Sequence, residues 1–313
     1  MKRQNMTIDQ SSQSIISGVE HWIYKEGVRL FLWEKKHQPN TPYRGTILFI
    51  HGSSWCSQPT FDLHVSCRPW SSVMDFFSSK GFNTWCLDNE GYGRSDKHRE
   101  INFGIQNGAE DIVAASEYIL QRDNIKQFLL YGISSGALKA SLFTSWFPDR
   151  VSRLALDAFV WSGQGSPTLV ERRKMLPQLL GQNRRPFNRA MIQSVFDRDH
   201  PGTAEQSMID AFATASLALD DSVPTGTYID MCTKLPMVDP LKILVPTIIM
   251  RGEYDGIAGI DDLIEFFKLL PNTDKHFAVM PGVAHASFQQ TNYLLVYDIL
   301  LSFFKQHPAV FLK

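Results

Sequence analysis

Three side chains in this sequence, a serine, an aspartate and a histidine, have the types and the chain order needed to attack a carbonyl carbon. A serine hydroxyl is a weak nucleophile until a base takes its proton, and that base is usually histidine. Ser134 lies in Gly132-Ile133-Ser134-Ser135-Gly136, with the apolar run 128–131 before it and the helix-compatible run 137–146 after it. Read alone, such a pentapeptide could be no more than a helix start capped by its serine. Its strand–turn–helix setting gives it chemical meaning, because a sharp turn there lifts the hydroxyl out of the strand end. Large side chains two residues either side would crowd that turn, and both positions are glycine. The amide of Ser135 then opens a helix and is placed to meet a developing oxyanion.

The partners of the serine follow it in the chain. Asp255 stands in Arg251-Gly252-Glu253-Tyr254-Asp255-Gly256, just after the apolar run 247–250. His285 stands in Met280-Pro281-Gly282-Val283-Ala284-His285-Ala286, just after the run 277–280. The order is serine, acid, histidine, each behind its own strand run. Asp157 also follows a strand run, 154–156, and is the second candidate for the acid. His51-Gly52-Ser53-Ser54-Trp55 closes the run 46–50, and the amide of Ser53 is the candidate for a second oxyanion donor. Each such donor is worth about 3 kcal/mol of barrier.

These residues need a scaffold that brings strand ends together. The apolar runs at 46–50, 84–87, 128–131, 154–156, 247–250 and 277–280 are continuous rather than alternating, which suits strands covered on both faces. Helical spacing separates them, as at Leu263, Phe266, Phe267 and Leu270, or at Val296, Ile299, Leu300 and Phe303. The expected fold class is therefore α/β, with a doubly wound, mostly parallel sheet whose site lies beyond the carboxyl ends of its strands. The alternation stops over 162–239. That stretch offers no strand run, has helical spacing at Met191, Ile192, Val195 and Phe196 and at Ile209, Phe212 and Ala213, and carries the basic residues Arg172, Arg173, Lys174, Arg184 and Arg185. The expected organisation is a flexible tail over 1–19, a core over 20–161 and 240–313, and an inserted helical cap over 162–239.

In these motifs the chain resembles the α/β-hydrolase superfamily, in its capped, esterase-like branch, over about residues 20–304. Asp88-Asn89-Glu90-Gly91-Tyr92-Gly93-Arg94-Ser95 is similar to that branch's loop after the fourth strand, with Asn89 or Glu90 where relatives usually carry arginine. That departure implies an altered local ion-pair network. The resemblance implies a catalytic triad of Ser134, Asp255 and His285, an oxyanion hole from Ser53 and Ser135, and a cap above them. It also implies ester hydrolysis through an acyl-enzyme, with no cofactor. The same residues serve thioesters, lactones, amides and carbon–carbon bonds elsewhere in the superfamily, and some members have become non-catalytic ligand-binding proteins, often by losing a triad residue. The expected partner is a small molecule with an ester-like carbonyl. Trp55, Phe159, Trp161 and Phe288 lie near the expected site and are read as a pocket for an apolar or aromatic group.

Composition narrows the remaining classes. The chain has 313 residues, 43% hydrophobic and 20% charged, with a formal net charge of -1, so no charge excess favours nucleic acid or an acidic membrane surface. The N-terminal residues have no apolar stretch of the signal-peptide kind, and no run spans a bilayer. Cys56, Cys67, Cys86 and Cys232 form no C-x-x-C pair and read as reduced thiols of a cytoplasmic protein, with Cys86 in the core and Cys56 close to the site. Asp197, Asp199 and His200 cluster, but with no metal-binding motif they read as a solvated loop; no metal is expected. Assembly into a homo-oligomer is left open by the sequence.

Overall fold

The computed structural model describes residues 15–66 and 68–307; most of the expected N-terminal tail, and Cys67, lie outside the described residues. Eight strands form one sheet: β1 (Val19–Lys25), β2 (Val28–Lys35), β3 (Gly45–Ile50), β4 (Phe82–Asp88), β5 (Phe128–Ile133), β6 (Val151–Asp157), β9 (Thr247–Gly252) and β10 (Lys275–Met280), with β7 and β8 in the insertion described below. Their order across the sheet is β1-β2-β4-β3-β5-β6-β9-β10. The first two strands pair antiparallel with each other, and β2 pairs antiparallel with β4; every other pairing is parallel. The sheet is thus mostly parallel, as expected, with an antiparallel hairpin at one edge that the apolar runs did not reveal.

The connections reverse direction at β3, which lies between β4 and β5. A crevice opens there beyond the carboxyl ends, because the crossovers on either side leave toward opposite faces. The register sets Ile50 of β3 beside Gly132 of β5, so the turns after those two strands begin at the same height.

Both faces of the sheet are covered, which is why β3, β4 and β5 are almost wholly buried. On one face α3 (Ile105–Asp123), α4 (Ser135–Trp146) and α10 (Ile260–Leu269) pack Ile112, Ala137, Leu138 and Phe266 against Leu48, Leu130 and Leu156. On the other face α1 (Ser57–Phe61), α2 (Val73–Ser79) and α11 (Tyr293–Phe304) pack Phe61, Phe77, Tyr297 and Leu300 against Phe49, Tyr131 and Met250. Cys86 is fully buried in this second layer.

Between β6 and β9 the chain leaves the sheet and forms α5 (Pro167–Lys174), α6 (Leu176–Leu180), α7 (Arg189–Asp197), α8 (Gln206–Leu217) and α9 (Gly226–Thr233). The expectation of a strandless insertion needs one correction: β7 (Arg184–Pro186) and β8 (Ser222–Pro224) form a short antiparallel ribbon inside it. Three residues per strand are too few for a periodic signal. A separate apolar cluster seats the insertion on the core. Phe187, Ile192, Phe196, Met208 and Phe212 pack on Trp55, Cys56, Tyr92 and Phe103, and the Trp55 ring stacks on Phe196 at 6.0 Å and meets Phe212 edge-on at 4.8 Å.

Candidate active site

Strand β5 ends at Ile133 and α4 begins at Ser135, so a single residue, Ser134, makes the whole turn. It adopts φ 57 and ψ -124, a conformation that residues with a side chain avoid. Holding it costs on the order of 1–3 kcal/mol, supplied by the surrounding structure. Part of that support is the Ser134 N–H, which donates to the Asp157 carbonyl at 2.9 Å. Part is the absence of side chains beside the turn. A Cβ on Gly132 would run into the Gly136 carbonyl, and one on Gly136 into the carbonyls of Ile50 and His51.

The hydroxyl so lifted faces His285. Nε2 of His285 lies 3.1 Å from Ser134 Oγ, and Nδ1 lies 3.0 Å from Asp255 Oδ1. The network assigns the tautomer: Nδ1–H donates to the carboxylate, and Nε2 accepts from the serine O–H. Asp255 is 2% exposed. Burial pushes its carboxyl up, but His285 and the Ile257 amide, which donates to Oδ1 at 3.0 Å, outweigh that and hold it below the usual carboxylate range. The loops after β5, β9 and β10 thus bring Ser134, Asp255 and His285 together.

Asp157, the alternative acid, is fully buried but makes no hydrogen bond to the imidazole. Its Oδ2 accepts from the Tyr131 hydroxyl at 2.6 Å and its Oδ1 from the Ser287 hydroxyl at 3.0 Å. Burial, with a smaller contribution from the charge of Asp255, lifts its carboxyl to about 7 against the lowering effect of the two hydroxyls. It ties the loop carrying His285 to the sheet.

Ser53 and Ser135 are both buried. Among the described residues neither amide donates to a protein acceptor, so both N–H groups are free at the strand ends. His51 braces the first of these turns: its Nδ1–H donates to the Gly52 carbonyl at 2.8 Å while Nε2 accepts from the Asn89 amide at 3.1 Å. Burial and the neighbouring Lys139 push the His51 imidazole well below its ordinary value, so it stays neutral. The departure at Asn89 and Glu90 is visible as a network: Asn89 accepts from buried Lys139 at 2.7 Å and donates to Asp111 at 3.2 Å, and Glu90 takes Arg99 at both oxygens.

A cavity of about 20 Å³ stands over Ser134 and His285. Of the four aromatic residues expected to line a pocket, only Trp55 reaches it. The other three are corrected. Phe159 is fully buried against Phe266 at 4.8 Å, Trp161 packs on the same ring and donates its indole N–H to the Val238 carbonyl, and Phe288 stacks on Tyr131 at 4.9 Å below the loop of His285. Nearness to a strand end does not fix which way a side chain turns, and these three turn into the core. The insertion instead contributes Arg172, Val195, Arg198 and Tyr228, and the core adds Gln289. Among these, Arg172 was visible only as part of a basic run and Val195 only as one apolar helix position. The loop at 197–200, expected to be solvated, is exposed at Arg198 and His200 and half-buried at Asp197 and Asp199. The Asp199 side chain is 3% exposed and takes two hydrogen bonds from Arg198 at 2.8 Å, while His200 lies against Tyr254. Cys56 is fully buried, and burial raises its thiol well above the ordinary value. Among the described residues no helix is long and apolar enough to cross a membrane.

Known proteins share this architecture. Among curated proteins none matches the chain. An esterase from Exiguobacterium antarcticum superposes with a TM-score of 0.69 at 16% identity, covering 92% of this chain and 100% of its own. A soluble variant of monoglyceride lipase from Saccharomyces cerevisiae gives 0.69 at 15% identity, over 94% and 96%. E-2-(acetamidomethylene)succinate hydrolase gives 0.66 at 18% identity, over 93% and 100%. Likeness at that level of identity establishes the fold. The family follows from the sequence itself, whose residues 42–292 match the model described as serine aminopeptidase, S33, so the chain belongs to that family of hydrolytic α/β-hydrolase enzymes.

Proposed function

We propose that the protein is a serine hydrolase that cleaves a carboxylic ester through an acyl-enzyme. The observation that carries this reading is the continuous relay from Asp255 Oδ1 through His285 to Ser134 Oγ, with both steps at hydrogen-bond length. Ser134 Oγ attacks the carbonyl carbon while His285 Nε2 takes its proton. The Ser53 and Ser135 amides receive the oxyanion, and Asp255 stabilises the imidazolium. His285 then returns the proton to the leaving alkoxide. Water, deprotonated by the same nitrogen, attacks the acyl-serine, and the acid leaves. The insertion over the site acts as a cap that sets substrate choice.

An ester is favoured over the substrate suggested by the family description, a peptide with a free N-terminus. A protonated α-amine needs a carboxylate, and the cavity over Ser134 is lined by two arginines and, among the described residues, no acidic one. The structural neighbours include an esterase, a lipase and a hydrolase of E-2-(acetamidomethylene)succinate, so their fold serves more than one bond type. Turnover measured on matched esters, thioesters and aminoacyl amides tests the assignment. The ester should have the highest kcat/KM, and a preference for the aminoacyl amide would contradict it.

A further inference from the structure

Above the catalytic serine the insertion buries more positive charge than the described residues neutralise. The small cavity over Ser134 opens into a cleft of about 460 Å³, and the two share Ser54, Trp55, Arg172, Val195, Arg198 and Tyr228. Arg198 has its counter-ion in Asp199, and the rim pair Lys174 and Glu171 satisfy each other at 2.7 Å. Among the described residues Arg172 and Arg185 have no carboxylate partner. Arg172 is 7% exposed, and its one hydrogen-bond contact among the described residues is from Nη1 to the Met231 sulfur at 3.9 Å. Arg185 is 6% exposed; its Nη2 donates to the Ser54 hydroxyl at 3.1 Å and the Ser53 carbonyl at 3.4 Å, and its Nε is buried without a partner.

The ring of Tyr228 lies between these two cations, 3.6 Å from the Arg172 guanidinium carbon and 4.2 Å from that of Arg185, and its hydroxyl is 2.9 Å from the Ser54 hydroxyl. Burial would raise the Tyr228 phenol, but Arg185 and Arg172 outweigh it and bring it down to about 7. Even a fully ionised Tyr228 balances only one of the two arginines. Buried guanidinium groups without an anion cost stability, and a fold retains them where a ligand supplies the missing charge.

We propose that the substrate carries a carboxylate, bound at the rim of the Tyr228 ring by the guanidinium groups of Arg172 and Arg185, beside the carbonyl that Ser134 attacks. The aromatic ring covers one face of each guanidinium; Arg172 keeps Nε and Nη2 for a planar carboxylate, and Arg185, whose Nη2 is taken by Ser54 and Ser53, adds Nη1. Ser54 links this anion site to the neighbouring Ser53 amide, so carboxylate and scissile carbonyl belong to one short acyl group. The class is a half-ester of a dicarboxylic acid. This inference rests on the hydrolase reading of Ser134.

The test uses two esters that differ by one methyl group: the 4-nitrophenyl monoester of adipic acid and the same compound with its free carboxylate methylated. In the native enzyme kcat/KM for the charged ester should exceed that for the methylated one by about 10- to 100-fold. That ratio should fall toward one in Arg172→Met and in Arg185→Met, and Arg172→Lys should recover part of it. Adipate alone should raise the melting temperature of the native protein and not of Arg172→Met, a readout independent of turnover. Labelling of Ser134 by a neutral fluorophosphonate tests the hydrolase reading separately. A ratio at or below one in the native enzyme, or no melting shift with millimolar adipate, overturns the proposal. So does a ratio unchanged in both methionine variants with native melting profiles, or stronger competition by inorganic phosphate than by adipate.

Discussion

Strands β6 and β9 lie side by side, and a buried aspartate stands at the carboxyl end of each, yet the two carboxyls are shifted in opposite directions. Asp255 faces an imidazole N–H and a backbone amide and is held ionised. Asp157 faces two hydroxyls, has no cation against it among the described residues, and is pushed up to about 7. Each charge disfavours the other, so ionising one helps keep the other neutral. A strand-end position is therefore not what makes an acid useful to a histidine. The neighbouring group decides, and here the acid beyond β9 has the imidazole while the acid beyond β6 fastens the loop that carries it.

The largest expected effect separates the two directly. Asp255→Asn should lower kcat by about 10⁴-fold, because the amide no longer favours the tautomer with Nδ1 protonated. Asp157→Asn should cost less than about tenfold, since a side-chain amide at that position can still bond both hydroxyls. Steady-state kinetics on a neutral ester checks this, and a reversed ranking would reassign the acid.

A smaller effect concerns the turn that both regions flank. Gly136→Ala places a Cβ against the carbonyls of Ile50 and His51, the turn that precedes the Ser53 amide. Overpacking at such a point typically costs about 1–3 kcal/mol. Denaturant melts should show that loss together with a drop in kcat, and a fully active variant of native stability would mean the turn is less constrained than described.

A third effect is a pH dependence of stability. An ordinary aspartate titrates near 3.8, whereas folded Asp157 does so at about 7. Between those values the folded protein keeps a proton that the unfolded chain has released, so raising the pH from about 4 to 7 costs stability, and the full cost remains above 7. The amide of the Asp157→Asn variant has no such proton. The melting temperature of that variant minus that of the native protein should therefore be more positive at pH 8 than at pH 5. A difference that is constant, or that falls with pH, would show that Asp157 is ionised in the fold.

Much of this comparison was legible in the sequence. The apolar runs from residue 46 onward located the six parallel strands, and the residues following them included all three members of the relay. The hairpin of β1 and β2 was hidden because it buries charge: Glu34 and Lys35 are almost wholly enclosed, Lys35 between Asp62 and Asp75 at 2.6 Å, which breaks the apolar pattern. Strand-end position alone does not separate Asp157 from Asp255, since the partners that set their states, Tyr131, Ser287 and His285, are distant in the chain. The paired cations were illegible for a similar reason. Arg172, Arg185 and Tyr228 come from α5, β7 and α9, and only the packing of the insertion brings them to one ring.

The most direct test of the account is to treat the protein with a small fluorophosphonate and locate the adduct by peptide mass spectrometry, alongside Ser134→Ala. One adduct per chain is expected, on Ser134, with hydrolysis and labelling both lost in the variant. An adduct on Ser53, Ser54 or Ser135 in the native protein, with Ser134→Ala still hydrolysing esters, would contradict the assignment of the nucleophile.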